Sequence, residues 1–120
     1  MSESADRQIV IPAAVNRAEA LALTVSQINK DAGEAWILPP DAEAAIANPL
    51  RLFESVYAAV ADLLLHDPAR LQHLLYRFDV AERDALHVFS QARERQAELL
   101  TQLLVQQALR KVLYRLHYRG

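Results

Sequence analysis

HLLYRFDVAERDALHVF, residues 73–89, sets two His, one Tyr, two Phe, two Arg, two Asp and one Glu within seventeen positions. Such density marks either a reactive centre or a corner where one helix stops and the next begins. The spacing favours the corner. Leu71, Leu74, Leu75 and Phe78 recur at helical intervals, and Asp79 followed by Glu82 has the spacing of a capping box. In such a box the Asp79 carboxylate accepts from the Glu82 amide, and the Glu82 side chain reaches back to the Asp79 amide. A new helix is then expected from Val80, with Leu86 and Phe89 turned inward. Arg83 stands where an apolar partner for Phe78 would complete a hydrophobic staple, so one continuous bent helix through 79 is the alternative. Arg77 is expected to cover the last carbonyls of the helix it ends, where positive charge is favoured.

Working outward, Asp67-Pro68 reads as a cap followed by a first-turn proline, and Asn48-Pro49 repeats the device. The helix from Pro49 has a well-defined inner face of Leu52, Phe53, Val56, Tyr57, Val60, Leu63 and Leu64. Arg51, Glu54, Ser55 and Asp62 fall opposite. WILPPD at 36–41 is a break, because two prolines forbid helix there. Asp41 is expected to cap a short turn through Ile46, and Trp36 to plug one end of the bundle. A first helix over about 13–31 starts at Pro12 or at the Asn16-x-x-Glu19 box, carries Val15, Ala18, Ala22, Val25 and Ile28 inward, and stops at Gly33. Residues 1–11 are expected to be frayed or extended. Downstream, 91–118 reads as one long helix whose apolar residues, Leu99 to Leu116, spread well past the ~100° stripe of a surface helix. It therefore runs through the middle of the bundle or lies partly against a second copy of the chain.

These elements make the chain all-α. Of 120 residues, 52% are hydrophobic and 23% charged, which suits one packed domain over 1–120. Ala and Leu supply 40 residues and Gly only 2, too few glycines for the turns of a β-sandwich. The expected architecture is an irregular bundle of four main helices plus one or two short ones. Cysteine is absent, which removes disulfides, thiolate metal sites and a Cys nucleophile. MSESADRQ does not resemble a secretory signal, and the longest apolar run, VYAAVA at 56–61, is far short of the ~20 residues of a membrane span. A cytoplasmic protein with no membrane association is the expectation.

Candidate chemistry is sparse. No serine lies in a nucleophile elbow, and two glycines cannot build a phosphate-cradling loop. Asp79 and Glu82 could imitate a carboxylate dyad, but capping accounts for both. Asp62 with His66, and Asp84 with His87, have same-face spacings, yet a di-iron bundle needs Glu-x-x-His twice plus carboxylates from two more helices. No catalytic residue, metal or cofactor is expected. The charge distribution is more informative. Residues 1–50 carry three Lys/Arg against seven Asp/Glu, residues 51–90 four against six, and residues 91–120 six against two. In RKVLYRLHYRG, 110–120, a helix would place Arg110, Lys111, Tyr114, Arg115 and Tyr118 opposite an apolar face, with Arg119 following in line. Basic residues interleaved with tyrosines can grip phosphates and stack bases, which makes nucleic-acid binding the alternative function. The leading expectation is a non-enzymatic interaction module. It would form a homodimer, or bind another protein, through surplus apolar surface on the helix from Pro49 and the long last helix.

LLLHDPARLQHLLYRFDVAE, together with the later QLLVQQALRKVL, resembles a family of small uncharacterised all-helical bacterial proteins. In these an LLYR-hydrophobic-Asp-Val-x-Glu corner precedes a basic-ended terminal helix. The resemblance covers roughly residues 56–116. It implies a structural corner built around Tyr76, Arg77, Asp79 and Glu82, and brings no activity, ligand or catalytic residue with it.

Overall fold

The computed structural model describes residues 16–33 and 49–119. These form five helices and no strand: α1 (Arg17–Ala32), α2 (Pro49–His66), α3 (Pro68–Arg77), α4 (Glu82–Phe89) and α5 (Arg93–Arg119). The all-α expectation holds for them. Residues 1–11, the Pro12 start with Val15, the 36–41 break with Trp36, the turn from Asp41 to Ile46 and the Asn48 cap lie outside the described residues.

Local chemistry explains most helix ends. Asn16 Oδ1 accepts from the Glu19 amide at 3.0 Å, which satisfies one of the unpaired donors of the first turn of α1. Gly33 closes α1 with φ +59°, a conformation that only glycine adopts without strain. Pro68 keeps Asp67 out of the helical region, and Asp67 Oδ1 accepts from the Arg70 amide at 3.2 Å. One residue therefore both ends α2 and caps α3. The inner face of α1 runs through Leu21, Val25, Ile28 and Ala32, with Ala20 and Thr24 beside it. This corrects the expected face, because Ala18 is exposed and Ala22 half-buried. Alanines gain little from burial, so the larger Leu21 decides the rotation.

α5 is the central element and packs against α1, α2 and α4. Leu100, Thr101, Leu104, Val105, Ala108, Leu109 and Val112 are all buried. At 3.6 residues per turn they sweep about 180° of its circumference. The breadth of the apolar surface thus reflects a helix buried by its own chain on more than one side. Val56 and Val60 of α2, Leu71 and Leu74 of α3, and Phe78 complete the core. Two buried threonines interrupt it without an unmet polar group. Thr24 and Thr101 each donate a hydroxyl to the carbonyl four residues back at 2.7 Å. On α2 the expected inner face holds except at Tyr57, which is 39% exposed. On α4 the correction is larger. Leu86 is 62% exposed, and Val88 is buried instead.

No described helix is long and apolar enough to cross a membrane.

Candidate interaction surface

The corner between α3 and α4 is where expectation and structure part. Asp79 has φ +60°, in the left-handed region. Its amide donates to the Tyr76 carbonyl at 3.0 Å, and the next amide, Val80, donates to the Leu75 carbonyl at 3.0 Å. That pair of bonds is a Schellman motif, with Phe78 as the helix cap and Asp79 in the place usually held by glycine. Val80 and Leu75 are also the positions that commonly make an apolar contact across such an end. The capping box is therefore overturned. Asp79 terminates α3; it does not start α4. Helix α4 begins at Glu82, two residues later than expected, and its N-cap, Ala81, offers no side-chain cap. Asp is one of the few residues besides glycine that tolerates the left-handed region, which is why the same residue type fits both roles.

A tertiary contact engages the Asp79 side chain. Lys111 Nζ on α5 lies 3.0 Å from Asp79 Oδ2 and 2.9 Å from Asp31 Oδ2 at the end of α1. Asp31 is in turn held by Gln27, whose Nε2 donates to both carboxylate oxygens at 3.0 and 3.1 Å. Partial burial of Lys111 lowers its pKa, but the two carboxylates outweigh that and raise it above the ordinary 10.5. The Asp31 side chain is only 11% exposed, whereas that of Asp79 is 70% exposed. The Asp31 contact is consequently the stronger of the two, since solvent screens the other.

Arg77 completes the corner on a different helix from the one expected. Its Nε donates to the Asp31 carbonyl at 2.8 Å, with Nη2 at 3.5 Å from the Lys30 carbonyl. It thus covers the end of α1 rather than the end of α3. The favourable charge at a helix C-terminus is the reason in either case. Gly33 admits the guanidinium: a Cβ at that position would sit 2.9 Å from Arg77 Nη2.

Beside this network α3 and α4 open a groove of about 610 Å³. Leu75, Val80, Ala85 and Phe89 line its apolar surface, Tyr76 and Leu86 stand exposed beside them, and Asp79 and Glu82 supply carboxylates. Among the described residues, Tyr76, at 79% exposure, is the most solvent-exposed of the large hydrophobic side chains. Of the four corner residues singled out in the sequence, Tyr76, Asp79 and Glu82 line this groove. Leu86, expected to face inward, is 62% exposed and lines this groove.

The C-terminal surface divides. Lys111 is turned into the ion network, while Arg110, Tyr114, Arg115 and Tyr118 are exposed. The Tyr114 and Tyr118 rings pair at 4.6 Å between centroids, tilted by 41°, and His117 meets Tyr118 edge-on at 4.9 Å. Among the histidine candidates, His66 Nδ1 lies 3.1 Å from Asp62 Oδ1 on the exposed side of α2. Asp84 and His87 are exposed on α4. Among the described residues no three His, Asp or Glu side chains gather as metal ligands would.

No protein-family model matches the chain, and neither curated proteins nor solved structures yield a significant similarity.

Proposed function

We propose that the protein is a non-enzymatic helical interaction module that associates with a second copy of itself, with α2 and α5 contributing the contact surface. One observation carries the reading: large apolar side chains remain exposed in register on these two helices. Leu50, Tyr57 and Leu65 stand on α2 at spacings of seven and eight residues, and therefore share one face. On α5, Tyr114 and Tyr118 stand four residues apart. Apolar surface arranged in stripes, rather than scattered singly, is characteristic of surfaces that become buried in a complex. The non-catalytic part of the reading rests on the corner, where Lys111, Asp31, Asp79 and Arg77 are engaged with one another or with a helix end.

Sedimentation equilibrium from micromolar to several hundred micromolar protein tests this. The average mass should rise with concentration toward that of a dimer. A constant monomer mass across that range contradicts the reading.

A second reading, nucleic-acid binding by the α5 surface, is favoured by the paired Tyr114 and Tyr118 rings on the same exposed end of the helix as Arg110 and Arg115. Lys111, held by two carboxylates, is removed from that footprint. With so few cations, affinity for single-stranded oligonucleotide should fall only shallowly with salt, at a log–log slope of about −0.7 per phosphate contact. Absence of binding at low salt disposes of this reading.

A further inference from the structure

Resting on the self-association reading, we infer that the occupant of the α3–α4 groove is the terminal turn of α5 from a second copy, inserted reciprocally across a two-fold axis. Three observations carry this.

The first is chemical complementarity. The groove has an apolar lining with two carboxylates, the exposed Glu82 and Asp79, the latter already shared with Lys111 of its own chain. The last turns of α5 present two exposed tyrosine rings beside the exposed Arg110 and Arg115. Tyrosine buries a large ring and keeps a polar tip, so it suits a groove that is apolar within and charged beside. Charge of opposite sign on the two surfaces selects this pairing over tail against tail or groove against groove.

The second is capacity. A groove of about 610 Å³ falls within the roughly 300–1,000 Å³ typical of pockets that enclose a compact ligand. Neither Tyr114 nor Tyr118 lines the groove of its own chain, and both rings are about two-thirds exposed. The intrachain fold leaves the two surfaces unmatched.

The third is position. Lys111 touches Asp79, and Asp79 lines the groove. Tyr114, Arg115 and Tyr118 follow Lys111 at three, four and seven residues, along the same side of α5. Tail and groove therefore adjoin on one side of the molecule. Two surfaces so placed can be exchanged by a single two-fold rotation, which closes a dimer instead of propagating a chain.

The experiment uses the 120-residue chain in three forms: wild type, the groove variant Leu86→Asp, and the tail variant Tyr114→Ser/Tyr118→Ser. All substituted side chains are exposed, and circular dichroism of each variant serves as the check that it is folded. Sedimentation equilibrium should show each variant dimerising about 30-fold more weakly than wild type, the loss expected of an interface anchor. An equimolar mixture of the two variants should associate more tightly than either alone, because one intact groove then meets one intact tail. A fourth form, Tyr57→Asp on α2, separates the inference from the reading on which it rests. If Tyr57→Asp abolishes the dimer while the groove and tail variants leave it intact, self-association stands and this inference is overturned. If the groove variant weakens the dimer and the tail variant does not, the occupant is some other part of the second copy, and the inference is overturned. If the groove and tail variants both weaken it and their mixture shows no recovery, reciprocal insertion is overturned. A wild type that stays monomeric overturns both.

Discussion

Two of the short turns between described helices, at 66–68 and at 78–81, are held in different ways. At 66–68 the turn is local. The Pro68 ring excludes helical geometry at Asp67, and the Asp67 carboxylate caps α3 from three residues away. At 78–81 the local bonds of the Schellman motif are joined by contacts from two distant helices. Its central residue sits at φ +60°, its carboxylate meets Lys111 on α5, and Arg77 beside it grips the end of α1. A joint of the first kind should survive changes elsewhere in the molecule. One of the second kind should transmit them, and it is the joint that shapes the groove.

Substitutions can separate the two. The largest effect is expected for Phe78→Ala, which empties a fully buried site at the distant-held corner and should cost about 3–5 kcal/mol in urea denaturation. Next comes Gly33→Ala. It forces a side chain to φ +59° and pushes against the Arg77 guanidinium, so a loss of about 1–3 kcal/mol is expected. Most of the part due to crowding should vanish in an Arg77→Ala background, and additivity of the two changes would break the proposed link between α1 and the corner.

Lys111→Met leaves Asp31 largely enclosed without its cation and should cost about 1–2 kcal/mol. The pH dependence has a definite sign. Because the folded-state pKa of Lys111 is raised, its contribution is fully present below the unfolded lysine pKa and is lost as pH rises through the folded value. Urea midpoints of wild type and Lys111→Met should accordingly stay separated by a constant interval from pH 7 to 9 and converge only above the ordinary 10.5. Convergence near neutrality contradicts this. At the local joint, Asp67→Ala removes one cap and should cost about 1 kcal/mol, with no change in the response to Lys111→Met.

The contrast also explains what could be read in the sequence. Asn16, Gly33 and Asp67-Pro68 act through neighbours within three or four residues, so their spacing was sufficient. So was the broad apolar surface of α5, since burial on several sides leaves a compositional trace. Asp79 and Glu82 have the spacing of a capping box, yet the cation that engages Asp79 lies on another helix and has no local signature. The chemistry of Arg77 is legible in the sequence but its helix is not, because an arginine suits any nearby helix C-terminus and only the fold decides which is nearest. The outward face of Leu86 is not legible, because an eight-residue helix shows too few turns to fix its rotation. The groove leaves no sequence signature for the same reasons, although Tyr76, Asp79 and Glu82 of its lining stand out in the sequence as corner residues.

The account depends on Asp79 being the left-handed terminator of α3. Replacing it with glycine, the residue that accepts that geometry freely, decides the matter in one equilibrium urea titration. Asp79→Gly should leave stability unchanged or raise it by up to about 1 kcal/mol, since relief of backbone strain offsets the loss of a solvent-screened ion pair. A loss of 1 kcal/mol or more would mean that the carboxylate caps α4 after all, and the corner described here would be wrong.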